Sequence, residues 1–338
     1  MKKDEKDSVD DIIEKLNKQF GEGSIVKLGD TKIAKVDVIP TGSFSLDMAL
    51  GVGGIPRGRI TEIFGPESGG KTTLALSIIA QAQSLGENAA FIDAENSLDL
   101  DYAQRIGVNV KDLPISQPNS GEDALNIAVK LIESGKFAVI VVDSVAALEP
   151  KVESDADIGN QTMGLKARLM SQAMRKLAPA ARRTNTALVF INQIRMKIGT
   201  QSWGNPETTP GGLALKFHTS VRIDIRRIST IKEGEESVGI EVKAKVSKNK
   251  LAPPFRVATF YLMFGEGISY ETDVFNLAVE KGVIEKTGNT FFFGKEKLGV
   301  GMKNATKHLK SNKEIVEKIA EKLKGSKQET KQDDQERT

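Results

Sequence analysis

Residues 65–72 read GPESGGKT, a spacing that fits G-x-x-x-x-G-K-[ST]. The chemistry such a segment supports is phosphate binding. Gly65, Gly69 and Gly70 let the backbone curl its N–H groups around phosphate oxygens, with Pro66, Glu67 and Ser68 completing the loop. Lys71 supplies a point charge to the β- and γ-phosphates. The Thr72 hydroxyl can ligate Mg²⁺, and Thr73 follows it at the start of a helix whose dipole favours anions. These are the requirements of an ATP·Mg²⁺ site. A chance glycine-rich turn would lack the strand-like run before this segment and the helical run after it.

Two acidic positions extend the chemistry. The apolar run AVIVVDS closes on Asp143, placed as a strand-end carboxylate that anchors Mg²⁺ directly or through water. The run Ala89–Ile92 closes on Asp93-Ala94-Glu95. A carboxylate there can orient a water for attack on the γ-phosphate. Asp93 and Glu95 compete for that task, and spacing does not choose between them.

The elements that must hold these groups read as α/β. Apolar runs at Ile60–Phe64, Ala89–Ile92, Phe137–Val142 and Ala187–Ile191 alternate with helical stretches at Thr72–Leu85, Asp123–Glu133 and Leu165–Ala181. Near-continuous apolar strands between helices predict a parallel sheet covered on both faces. The later runs Val221–Ile228, Gly239–Val246 and Arg256–Phe264 alternate apolar and polar residues, as half-exposed antiparallel additions do. Ahead of this core, Ile12, Leu16 and Phe20 form one helical stripe that must dock on its own core or on a neighbouring subunit, because a lone short helix is marginal in water. After it, residues 269–324 make a small α/β appendage whose final helix carries Ile315, Ile319 and Leu323 on one face. The polar stretch 325–338, GSKQETKQDDQERT, predicts disorder. The predicted boundaries are therefore an N-terminal helix and arm at 1–36, an ATPase core at 37–268, a C-terminal domain at 269–324 and a tail at 325–338.

Composition removes several alternatives. At 338 residues and 39% hydrophobic, the chain can bury a sizeable core. With no Cys and only His218 and His308, it has neither a disulfide framework nor a paired-His metal motif. No apolar run approaches the roughly 20 residues that span a bilayer, and the N-terminus is charged, which predicts a cytoplasmic protein without a membrane partner. The net charge of +3 argues for no partner, so any nucleic-acid binding must rest on local clusters.

Taken together, the stretches GPESGGKTT, FIDAE, VIVVDSVAAL, MSQAMRKLA, FINQIRMKIG, GNPETTPGG, ALKFH, DIRRI and KNKLAPPF resemble the bacterial RecA recombinases over residues 8–324. The resemblance implies a P-loop NTPase core, a helical filament of many copies on single-stranded DNA with ATP at the subunit interfaces, and strand exchange in DNA repair. It implies that Glu95 rather than Asp93 is the catalytic carboxylate, and that Gln193 senses the γ-phosphate and relays it to the loop that follows. Asp99 and Tyr102 fall where the family contacts adenine. Lys248 and Lys250, which read alone as a solvated charge cluster, match lysines that reach the nucleotide of the adjacent subunit. Phe217 matches a further contact between subunits.

Two long segments, Glu149–Gly164 and Met196–Gly212, break the core pattern, as functional loops do. By resemblance they bind DNA. Met163 and Ile198 match apolar residues inserted between groups of bases, and Arg168, Ser171, Arg175, Thr209, Gly211 and Gly212 match phosphate contacts. Arg168 and Arg175 are about two helical turns apart on one face, a spacing that follows a backbone without reading sequence. Trp203 sits where an aromatic marks the tip of the second loop. The resemblance assigns double-stranded DNA capture to the C-terminal domain, where Lys281, Lys286, Lys303, Lys307 and Lys310 cluster. It also implies activation of a self-cleaving stress-response repressor. Four features depart from the family pattern: Asn96 stands where the family often has His, Phe264 stands for a Tyr, Trp203 stands for the more usual Phe, and the tail is not strongly acidic. A hexameric helicase on the same core and a nucleotide-switched scaffold without turnover are the competing readings.

Overall fold

The computed structural model describes residues 8–27, 36–154, 164–196 and 206–335, with side chains through Gly325. Met163, Ile198 and Trp203 lie outside the described residues. The chain divides into two compact units, residues 1–36 and 37–338.

In the first unit, Ser8 caps the helix Val9–Phe20. Asp11 N donates to Ser8 Oγ, and Ser8 N donates to Asp11 Oδ2 at 2.9 Å, a reciprocal pair that satisfies two backbone donors. The helix buries none of its residues. Ile12 and Phe20 of the apolar stripe stand exposed, and Leu16 is half-buried.

The second unit is built on a nine-stranded sheet. Its middle strand, Ile60–Gly65, lies between Val221–Glu233 and Ala187–Gln193. Val139–Asp143, Ala89–Asp93 and Ile115–Ser116 continue one side, and Glu236–Asn249, Val257–Met263 and Gly267–Ile268 the other. From Ile115–Ser116 to Val221–Glu233 all neighbours run parallel, and beyond that they are antiparallel. The parallel strands are apolar at nearly every position because helices cover both faces. Along Val139–Asp143, alternation sends Val139 and Val141 to a core with Leu74, Ile78 and Phe91, and Ile140 and Val142 to the opposite core with Leu125, Met174 and Phe190. In Val221–Glu233 the buried Val221, Ile223 and Ile225 alternate with half-buried charged residues. This is the α/β architecture expected, with its antiparallel extension.

A third core joins Val274, Phe275, Ile284, Phe291, Leu309 and Ile319 in a small three-stranded sheet and three helices after residue 269. Phe44, on the helix Phe44–Leu50 that the sequence reading did not anticipate, plugs into this core. The structure also differs at the chain's end, where the sequence predicts disorder from 325. The helix Lys313–Gln335 continues through that stretch. Its Lys, Glu and Gln are good helix formers, and the packed turn of Ile319 and Leu323 supplies the nucleus from which they propagate.

The contact between the small domain and the sheet unit is polar at its centre. Ser43 Oγ donates to Asp273 Oδ2 at 2.7 Å, and Ser45 N donates to the same oxygen at 3.0 Å. Asp47 accepts from Thr41 N at 2.9 Å. Burial pushes the Asp47 carboxyl up to about 8, against the Thr41 hydrogen bonds and helped by the Asp273 charge. A carboxyl raised in the folded state contributes stability that is complete below its unfolded pKa of 3.8 and is lost as pH rises through about 8. Asp47→Asn should therefore melt close to wild type near pH 4 and about 3 °C or more above it near pH 9. Thermal melts at the two pH values check this, and equal melting near pH 9 would contradict it.

Candidate nucleotide and DNA site

The parallel strands end together, and their C-terminal ends carry Gly65, Gln193, Asp143 and Asp93. Ligands of open α/β sheets bind at this edge. Residues 65–70 loop out of the middle strand and enter the helix Lys71–Ser84. Gly70, with φ +91°, sits in the left-handed region that a side chain resists. A Cβ on Gly65 would lie 2.0 Å from the Ile225 carbonyl oxygen, so the turn requires glycine there.

Lys71 Nζ donates to Pro66 O at 2.6 Å, which holds the ammonium over the loop. Burial pushes its pKa down, while Asp143, Glu95 and Glu67 oppose that shift. Thr72 Oγ1 donates to Asp143 Oδ2 at 2.8 Å. Burial raises Asp143 to about 6 against that hydrogen bond, and the Glu95 and Asp93 charges add to the rise. A hydroxyl and a strand-end carboxylate at this separation are hard oxygen donors of the kind Mg²⁺ takes when phosphates supply the rest of its shell. Thr73 Oγ1 and Tyr102 OH lie 2.9 Å apart. Tyr102, Leu262 and Phe264 line a cavity of about 240 Å³ beside residues 68–73, with an apolar wall suited to a base. Asp99 is exposed and caps its helix, accepting from Tyr102 N at 3.0 Å.

Geometry separates the two acids that spacing could not. Asp93 is buried and accepts from Ser97 N, Leu98 N and Gln117 Nε2, each at 3.2 Å. These bonds staple the turn after its strand. Glu95 is exposed and lines a polar cavity of about 550 Å³ with Asn96, Asn119, Gln193 and Arg195. Its Oε1 accepts from Gln193 Nε2 at 3.0 Å and from Ser144 Oγ. Ser144 escaped the sequence reading, because a serine after a strand carries no signal of its own.

The roots of the two loops meet nearby. Arg195–Met196 pairs with Glu207–Thr208 as the stem of the second loop. Gly211 and Gly212 both have positive φ, and a Cβ on either would come within 2.9 Å of Val145 or Ala167. The glycines thus bring the end of the second loop against the flanks of the first. Arg168 and Arg175 are exposed on the helix Leu165–Thr184, whose Met170, Met174 and Leu177 are buried, and Ser171 lies between them. Thr209 is buried, and its Oγ1 has no hydrogen-bond partner among the described residues.

Lys248 and Lys250 do not line the cavity beside residues 68–73. Lys248 Nζ donates to Lys216 O at 2.6 Å and to Phe217 O at 3.3 Å, and Lys250 Nζ donates to Phe217 O at 3.3 Å. Phe217 itself is exposed at the end of the helix Gly212–His218.

A family profile described as RecA N-terminal domain matches residues 7–269, and one described as RecA C-terminal domain matches residues 272–327. The chain belongs to the RecA family. It is 56% identical over 312 residues to Protein RecA of Nautilia profundicola, covering 92% of this chain and 89% of that one. It is 54% identical to Protein RecA of Thermus aquaticus, covering 96% and 95%. Among solved structures, the crystal structure of the RadB recombinase superposes with a TM-score of 0.53 at 22% identity, over 68% of this chain and 98% of that chain, and shares the fold. As a RecA-family recombinase the chain is a DNA-dependent ATPase of recombinational repair that acts by strand exchange. Membership decides against the helicase and the inert scaffold. No helix among the described residues is long and apolar enough to cross a membrane.

Proposed function

We propose that ATP·Mg²⁺ binds on residues 65–73 of one subunit and is hydrolysed only when a neighbour in the filament completes the site. Lys71 neutralises the β- and γ-phosphates, Thr72 and Asp143 hold the metal, which screens phosphate charge, and Tyr102 and Asp99 receive the adenine. Glu95 orients the attacking water. Gln193 exchanges its bond to Glu95 for the γ-phosphate and so reports the nucleotide to the second loop. The observation that carries this reading is the 3.0 Å bond from Gln193 to Glu95, which joins the water-orienting carboxylate to the strand that leads into that loop. Single-stranded DNA lies along Arg168, Ser171, Arg175, Thr209, Gly211 and Gly212, with Met163, Ile198 and Trp203 on the loops themselves. The basic surface of the domain after residue 269 receives double-stranded DNA. A self-cleaving repressor is a further partner of the assembled filament.

Lys248 and Lys250 act on the neighbour's γ-phosphate, as an arginine finger acts in trans. Lys250→Ala alone should have little DNA-dependent ATPase although its own phosphate loop is intact. Mixed with Lys71→Ala subunits, it should regain turnover at junctions where an intact Lys250 faces an intact loop. Phosphate release from each variant and from the mixture, with co-filaments confirmed by electron microscopy, checks this. A mixture no more active than the sum of its parts counts against the shared site.

A further inference from the structure

The strand that leads into the phosphate loop carries a charge at its centre. Glu62 is fully buried. Its Oε1 accepts from Asn192 Nδ2 at 2.9 Å, and its Oε2 accepts from Arg222 Nε. The Arg222 guanidinium lies over the Phe64 ring, 4.3 Å from its centre. A buried ion pair is a poor source of stability, because an apolar pair of similar volume does as well or better. Its value must lie in what it connects.

The contacts lead two ways. On one side, Asn192 Oδ1 accepts from Gln193 N at 3.0 Å, and Asn192 Nδ2 also donates to Pro210 O at 3.1 Å. On the other, Arg222 is the cross-strand partner of Lys248. Lys248 and Lys250 hold the last carbonyls of the helix Gly212–His218, and Pro210 lies just ahead of its first turn. The Glu62 carboxylate is thus linked through Asn192 to the start of this helix and through Arg222, across the strand pair, to the lysine at its end. It also faces the positive patch: burial, Lys250 and Arg222 push the Lys248 pKa down, and Glu62 opposes them.

We propose that Glu62 is a positioning residue that couples the nucleotide on a subunit's own phosphate loop to the lysines it presents to its neighbour and to the second DNA loop. The inference rests on the reading that Gln193 senses the γ-phosphate and Lys248 and Lys250 act in trans. A phosphate that draws Gln193 away from Glu95 displaces Asn192, whose amide is shared between Glu62 and Pro210. The displacement moves the root of the DNA loop and, through Arg222, the strand that carries Lys248.

The test compares wild type, Glu62→Gln and the neutral pair Glu62→Gln/Arg222→Gln, each as the full chain. The neutral pair removes the unpaired buried guanidinium that the single change leaves, and so protects the fold. Titration with a fluorescent ATP analogue reads the phosphate loop. Anisotropy of labelled oligo(dT), with and without a non-hydrolysable ATP analogue, reads the coupling. Nucleotide affinity should stay within about threefold of wild type in both variants, while the nucleotide-induced gain in oligo(dT) affinity shrinks about tenfold or more. A full gain in the neutral pair overturns the proposal. So does a neutral pair that loses nucleotide affinity as well, since that result assigns Glu62 a structural role only. If wild type itself shows no gain, the underlying reading of a nucleotide-switched DNA loop fails, a result separate from any variant's behaviour.

Discussion

Lys71→Ala should abolish strand exchange and reduce DNA-dependent ATP hydrolysis by about 10²–10³-fold, the loss typical of removing one preorganised group that stabilises transition-state charge. The ammonium is partly buried and held over the loop by Pro66 O, so its position is set before phosphate arrives. The fold should tolerate the change, since Lys71 opens a helix whose following turns bury Leu74, Ile78 and Ile79. Joint-molecule formation between circular single-stranded and linear double-stranded DNA, with phosphate release measured in parallel, is the check. Normal exchange in this variant would remove residues 65–72 from the role assigned to them.

Glu95→Gln should keep ATP and DNA binding and lower turnover by about 10²–10⁴-fold, because the isosteric amide cannot take a proton from the attacking water. The amide oxygen can still accept from Gln193 and Ser144, so the local geometry should survive. Single-turnover hydrolysis on saturating DNA separates the chemical step from binding. Undiminished hydrolysis would return the role to another acid. Asp93 would need to abandon three hydrogen bonds and its burial to take it.

The phosphate loop was legible because its letters, the strand before it and the helix after it agree at three levels. Asp143 alone reads as an ordinary strand-end carboxylate, and it stood out as a metal anchor only beside the phosphate loop. The choice between Asp93 and Glu95 was not legible from spacing. The resemblance favours Glu95, and what spacing does not reveal is that Ser97 and Leu98 supply backbone donors to Asp93. Glu62 and Arg222 were missed for a related reason. In VRIDI a charged residue reads as the solvent-facing half of an alternating strand, and in ITEIF a single Glu is submerged in a run that reads as apolar. The sheet order that sets the two strands side by side, and so buries the pair, is not encoded in local periodicity. The helix Phe44–Leu50 was passed over because seven residues between a Ser cap and a Gly stop give too short a window for a helical period to emerge.

The helix Gly212–His218 buries only Leu215, and its ends rest on side-chain bonds from Asn192, Lys248 and Lys250. Segments with so little apolar anchorage sit at the low end of the range of local opening free energies, well below the sheet strands beside them. Its amide protons should therefore exchange with solvent long before those of Ile60–Gly65 or Ala187–Gln193. Exchange measured on the full chain would read these two turns separately from the nine-stranded sheet.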